Sequence, residues 1–362
     1  MYAVVRGIGV AGGDLPGTRG SEPLGLAIER ALEAARIDAA TIDYVECDAA
    51  GDPHSDGVHL DALRTLPPPH SGRRTLGSLA ACAGETGASG GLASLIKAAL
   101  CLRHTLLPPL TGYRQPRAGL DSDAFHVPQR AQHWLRDRAD GPRRAAITTI
   151  TADGAAACAI LEEHARRSGK TPVRVESIVP NERAVHAVYG RDAAELRSSL
   201  SSLRKRLEDC DDVSRLARAE AHRGAPGDAS LAVSIVAGSA PELRQSIEEA
   251  SRQLDAHPQR PIAGKFGIYY APHPLAPRGR LAFVFPGSGN HFLGMGGAIG
   301  IEWPHVLHAL DAQTQRLRSQ LQPERFLPQR VDWSGAWRAD AERRMNADVV
   351  HTILAQVAYG VV

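Results

Sequence analysis

The sequence predicts an α/β protein built from several units, and three observations carry that prediction. Strand-like and helix-like patterns alternate through the first 165 residues. Residues 170–275 then repeat a strand–helix unit, its helices starting "ELRSSL" and "ELRQSI" 47 residues apart. After the Pro-rich "YYAPHPLAPRGR", a last section opens with a strand-like run and a glycine turn, "LAFVFPGSGNHFLGMGGAIG".

Taken in order, "YAVVRGIGV" is rich in β-branched residues and predicts a strand from residue 2, with no element before it. Ser21 offers an N-cap and Pro23 suits the first turn; Leu24, Ile28, Ala31, Leu32 and Ala35 recur at helical spacing. "IDYVEC" reads as a second strand. "LASLIKAALCLRH" predicts a helix that is apolar on most faces and therefore buried. "RRAAITTIT" and "AACAILEEH" predict two strands joined at Asp153-Gly154, a hairpin signal.

The strand "AVHAVYG" leads to a helix with Leu196, Leu200, Leu203 and Leu207 on one face. "LAVSIVAGS" leads to another, with Leu243, Ile247, Ala250 and Leu254. Two units cannot make a solenoid; they suit a small domain in which two helices cover a short sheet. The stretch between them, "EDCDDVSRLARAEAHRGAPGD", is charge-rich and expected to be solvated. The chain closes on "TILAQVAYGVV", an apolar helical run, so both ends are expected to fall inside structural units.

Composition narrows the function. A formal net charge of +2 gives no basis for binding nucleic acid or an anionic membrane surface. No apolar run is long enough to span a bilayer, and the start lacks the apolar core of a signal peptide, so a cytoplasmic location is expected. The five cysteines, Cys47, Cys82, Cys101, Cys158 and Cys210, are scattered and odd in number, which argues against a disulfide framework or a zinc ribbon.

Candidate chemistry concentrates in "YVECDAAGDPHSDGVHLDAL", residues 44–63. Cys47, Asp48, His54, Asp56, His59 and Asp61 are all possible metal ligands. His54 and His59, however, stand five apart around Gly57, which fits no helical or knuckle spacing, so no metal is assigned. No serine nucleophile elbow is expected, and Cys158, among alanines, reads as a small core residue. Gly287 and Gly289 follow a strand pattern, but Phe292 replaces the third glycine of a dinucleotide fingerprint and no Walker lysine follows. That turn instead offers free amides to an oxyanion or a thioester carbonyl.

Set in order, these pieces resemble type I polyketide and fatty acid synthases. "IDYVECDAAGDPHSDGVHLDAL" is similar to the ketosynthase segment V-E-A-H-G-T-G-T-x-x-G-D-P-I-E-x-x-A-L. "LGSLAACAGETGASGGLASLIKAALCLRHTLLPP" resembles G-S-x-K-S-N-x-G-H-T-x-A-A-x-G-x-x-x-L-I-K, with its helix and closing prolines. "RRAAITTITADGAAACAILEE" resembles the segment that ends the domain. "LAFVFPGSGNHFLGMG" is similar to the acyltransferase opening F-x-F-P-G-Q-G-x-Q-x-x-G-M-G. The resemblance implies half of a thiolase-like layered αβα domain (1–168), a small α/β linker domain (169–278) and the start of an acyltransferase domain with an α/β-hydrolase-like fold (279–362).

The departures bear on activity. The family's two histidines, which assist decarboxylation and carbon–carbon bond formation, fall here on Asp48 and Glu85. Its lysine falls on Ala80 and its asparagine on Cys82. A neutral imidazole donates to a thioester carbonyl as charge develops on it; an ionised carboxylate only accepts, and repels the malonyl carboxylate. If the two carboxyls meet, one of them is expected to have a raised pKa. In the acyltransferase motif Ser288 takes the place of a glutamine whose backbone amide helps form an oxyanion hole, and Gly289 follows it.

The double loss resembles chain-length factors and the ketosynthase-like parts of polyunsaturated fatty acid synthases. It implies a non-catalytic scaffold or chain-length partner. A complete acyltransferase would load malonyl or acyl groups from coenzyme A onto the phosphopantetheine of an acyl carrier protein. Implied partners are that carrier protein, other synthase domains or subunits, and a ketosynthase in a dimer; no cofactor is bound by the chain itself. The alternatives are a truncated, inactive product or a subunit complemented by a separate chain. Half of a layered core is expected to leave apolar sheet surface open.

Overall fold

The computed structural model describes residues 1–12, 20–49, 51–84, 86–114, 116–117, 120, 124–151, 153–164, 183–275, 279–280, 282–284, 289–326 and 336–361. They form two compact units, one of residues 1–176 with 285–362 and the other of residues 177–284.

The first unit opens with β1 (Ala3–Ala11), α1 (Glu22–Ala35), β2 (Tyr44–Cys47), α2 (Pro53–Arg64), β3 (Arg74–Gly77), the single turn α3 (Ala80–Ala83) and α4 (Gly90–His104). The short strands β4 (Leu106–Leu107), β5 (Phe125–His126) and β6 (Gln132–His133) follow, then the hairpin of β7 (Arg144–Ile150) and β8 (Ala156–Glu163). Six strands make one mixed sheet in the order β1-β8-β7-β2-β3-β5. β2 runs parallel to β3 and β7, while β8 is antiparallel to both β1 and β7.

Side-chain alternation divides this sheet into two faces. Val45, Ala146, Cys158 and Ile160 pack with α1 and α2; Tyr44, Ala145, Ile147 and Leu161 pack with α4. The helix-sheet-helix layering of an αβα arrangement results. On α1 the predicted Leu24, Ile28, Ala31 and Ala35 are buried, and Ala27 joins them. Gly7 and Gly9 let that helix settle on β1, since a Cβ at either would collide with the carbonyl oxygens of Ala31 or Ala27.

The expectation of a fully buried α4 fails. Ala98, Cys101 and Leu102 face the sheet, but Leu92, Ile96 and Leu100 are 65%, 52% and 41% exposed. These three lie four residues apart, on one line of the helix that no described residue covers. The same side of the sheet is open at its edge. Ile8 pairs with Ala159 and Val10 with Ala157, so both point to the α4 side, and both are exposed.

The second unit is an antiparallel sheet in the order β11-β12-β10-β9, formed by β9 (Ala184–Gly190), β10 (Leu231–Ala237), β11 (Ile262–Ala263) and β12 (Ile268–Tyr270). Its helices are α5 (Ala193–Glu208), α6 (Val213–Arg223) and α7 (Ala240–Ala256). The four leucines of α5 and the apolar line of α7 are buried against Val188, Val233 and Ile235, as their spacing predicts. The stretch expected to be solvated contains α6, capped by Asp212 and buried at Val213 and Leu216. Arg215, Arg218 and Arg223 are exposed while Glu220 is drawn in against Arg206, so the segment is an amphipathic helix rather than a loop.

Residues after 288 return to the first unit as short helices: α8 (Ile299–Glu302), α9 (Pro304–Gln313), α10 (Leu317–Leu321), α11 (Pro323–Phe326), α12 (Ala336–Asn346) and α13 (Val349–Val361). The strand expected at "LAFVF" is absent from its described part. Ala282–Val284 adopt no regular structure, and Phe283 and Val284 are 77% and 89% exposed. A short apolar run becomes a strand only when a neighbour takes its backbone groups, and none pairs with it among the described residues.

Candidate functional site

The carboxyl ends of the parallel strands β2, β3 and β7 lie together, the usual place for chemistry in an open α/β sheet. Asp48 stands one residue past β2. It continues the alternation of Tyr44 and Glu46, on the α4 side of the sheet. Thr149 Oγ1, from β7, donates to Asp48 Oδ2 at 2.9 Å. Ser78, just past β3, donates to the Ala49 carbonyl at 2.8 Å and ties the two strand ends together. Asp52 then caps α2 by accepting from the Ser55 amide at 2.7 Å.

Beneath Asp48 lies a buried polar set. Glu46 is fully enclosed and takes a hydrogen bond from the Tyr44 hydroxyl. Lys97 of α4 closes on it, with Nζ 2.8 Å from Oε2 and 3.0 Å from Oε1. Burial, with Glu46 beside it, pushes the Tyr44 hydroxyl well above its usual pKa. Gly77 leaves room for that hydroxyl, since a Cβ there would collide with it. Burial first, then Glu46, also raises the Cys47 thiol, so Cys47 is a core residue rather than a nucleophile. Cys158 is likewise buried and pushed up to about 12.

The sequence-predicted residues divide. Asp48 is placed as described. Glu85 and Ser288 lie outside the described residues, and so does any meeting of Asp48 with Glu85. Gly289 is exposed, with a φ of +91° that favours glycine. Ala80 and Cys82 lie on the single turn α3, and Cys82 Sγ is 3.1 Å from the Thr111 hydroxyl. No group of three possible metal ligands occurs among the described residues: His54 is exposed, whereas His59 is buried on α2.

Two features escape the sequence reading. His59 lies close enough to Asp48 and Asp56 for both to favour its charged form, although burial dominates and lowers its pKa. It is an imidazole near the strand end, carried on α2 instead of at position 48. The other is the spacing G-x-S-x-G, which does occur, at Gly87–Gly91. Ser89 ends a 3₁₀ turn that leads into α4, and its hydroxyl donates to the Thr86 carbonyl at 2.8 Å. An elbow needs a strand leading into the serine, and here α3 precedes it.

Residues 2–114 match the family model "Beta-ketoacyl synthase, C-terminal domain". The chain is 30% identical over 320 residues to polyketide synthase GfsE of Streptomyces halstedii, covering 85% of this chain and 8% of that protein. It is 28% identical over 289 residues to the compactin diketide synthase mlcB of Penicillium citrinum, covering 74% of this chain and 10% of that one. It thus spans a small fraction of the curated relatives it matches.

Among solved structures, a ketosynthase domain of the oxazolomycin synthase of Streptomyces albus JA3453 aligns at 24% identity and a TM-score of 0.41, over 69% of this chain and 44% of that one. The "PfaC Keto synthase-Chain length factor" aligns at 22% identity and a TM-score of 0.40, over 56% and 22%. No helix among the described residues is long and apolar enough to cross a membrane. The family match falls on the same residues that build β1 to β4 and the Asp48 loop, so residues 2–114 are similar to the C-terminal domain of beta-ketoacyl synthases, and the curated relatives that share this stretch are polyketide synthases.

Proposed function

We propose that this chain supplies a non-catalytic, ketosynthase-like part to a polyketide or polyunsaturated-fatty-acid-type synthase, as a scaffold or chain-length partner. Asp48 carries the reading. Decarboxylative condensation needs a donor aimed at the thioester oxygen where charge develops. The strand end here presents a carboxylate that accepts from Thr149 instead, with the Glu46 carboxylate two residues behind it. The two residues between Asp48 and Gly51 are alanines, which bring no further side-chain donor.

Incubation with malonyl-coenzyme A and malonyl-acyl carrier protein tests this directly. The expected outcome is carbon dioxide release no faster than in protein-free buffer and no acyl adduct by intact mass. A covalent acyl adduct or release above that background overturns the reading. Residues 279–362 resemble an acyltransferase opening, and in a complete domain they would serve loading of the carrier protein.

One observation favours complementation by another chain over a decayed, solitary product. The uncovered residues Leu92, Ile96 and Leu100 of α4 and Ile8 and Val10 of β1 share one side of the sheet. Exposed apolar surface of that kind marks an interface. A ketosynthase N-terminal half seated there would close the layered core and bring its own residues to the Asp48 strand end. Co-expression with such a half is expected to yield a soluble complex that Ile96→Lys disrupts; a chain that stays monomeric beside that half argues for the solitary product.

A further inference from the structure

Buried polar groups of residues 1–176 reach across to the helices α9 and α10 of the returning chain. Arg143, immediately before β7, is buried, and its Nε donates to the Trp134 carbonyl at 2.7 Å. Its Nη1 lies 2.9 Å from Glu163 Oε2 and 3.5 Å from Asp311 Oδ2, on α9. Asp137 is buried too. Among the described residues both side-chain donors to it belong to Ser319 of α10, the amide at 3.0 Å and the hydroxyl. The buried Thr105 hydroxyl, just past α4, is 2.6 Å from His308 Nε2. Arg138 adds a hydrogen bond to the Asp311 carbonyl at 3.0 Å.

Apolar contacts fill the space between these points. Leu307, Leu317 and Leu321 pack with Leu135, and a Cβ at Gly300 would collide with the His133 side chain. Apolar burial is non-directional and tolerates sliding, whereas an enclosed charge must keep its partner. Thr105, Asp137 and Arg143 come from separate segments and meet positions 308, 319 and 311, which fixes one register for the helix pair. Without α9 and α10, Asp137 loses both donors and Arg143 one of its two carboxylates.

We propose that α9 and α10 are a latch. A surface of residues 1–176 built around Thr105, Asp137 and Arg143 recognises the helix pair directly. Residues 177–284 are then an insert within the first unit, and not the tie that keeps α9 and α10 in place. The helix pair moves with the ketosynthase-like unit, whatever the second unit does.

Protease sites placed at both junctions of residues 177–284 in the full chain, with an affinity tag at the amino terminus, test the assignment. After both cuts, the carboxy-terminal piece is expected to stay on the tagged piece. Ser319→Ala is expected to raise the Kd between the two pieces about tenfold, the worth of a hydrogen bond to a charged group. Asp311→Ala combined with Ser319→Ala is expected to release the carboxy-terminal piece, while the uncut variant still melts cooperatively. Release from the unchanged chain overturns the proposal. So does retention by the double variant, which would make residues 177–284 or apolar contact the tie. If the double variant does not fold, Ser319→Ala alone decides, and an unchanged Kd overturns the latch.

Discussion

At the scale of single residues, the enclosed pair Glu46–Lys97 and the buried His186 are the most exacting. Glu46 is fully enclosed, and its positive partner is Lys97. Removing one member of a buried pair strands the other charge. Lys97→Met is expected to cost about 3 kcal/mol in urea unfolding, with Glu46→Gln in the same chain recovering part of that loss. His186 is enclosed beneath the helices of the second unit with neither ring nitrogen hydrogen-bonded, and burial lowers its pKa to about 4. The unfolded chain binds its proton near the ordinary value of 6.5. Stability from the neutral ring is therefore complete above pH 6.5 and lost as pH falls towards 4. The loss for this unit is expected to be about 3 kcal/mol across that window, and His186→Leu should flatten it in pH-dependent melts.

Elements carry a different kind of constraint. α1 rests on β1 only because Gly7 and Gly9 have no side chains there. Gly9→Ala is expected to push the helix off the strand and cost about 2 kcal/mol by denaturant titration, within the usual range for overpacking. The helix N-caps Asp192, Asp212 and Ser239 each accept from a backbone amide three residues on, and Asp192→Ala should cost about 1 kcal/mol. Much of this level was legible in the sequence, because it rests on local spacing. The buried lines of α1, α5 and α7 and the β7–β8 hairpin all follow from period and turn residues. What was not legible depended on distant partners. α4 reads as buried because its apolar residues surround it, yet Leu92, Ile96 and Leu100 find no cover. The "LAFVF" strand lacks a pairing neighbour, and α6 was hidden by its charges. At the site, position 48 was readable as a changed residue. The Thr149 and Lys97 contacts were not, since they join segments roughly 50 to 100 residues apart.

For the whole molecule, the open α4 side predicts behaviour in solution. Ile96→Lys with Leu92→Glu is expected to lower dye binding to exposed apolar surface and to reduce self-association in sedimentation, leaving the melt of residues 177–284 unchanged. The sheet order has a separate consequence, in time instead of space. Among the described residues β1 pairs only with β8, from Ala3 opposite Glu163 to Ala11 opposite Ala156. Each of those pairings closes a loop of about 145 to 160 residues, whose entropy must be met before the contacts reward it. Made before every other strand of this sheet, β1 is among the last of them to find its place. Until residue 163 has emerged, β1 and α1 remain a strand and a helix in search of a sheet, the natural binding target of a chaperone.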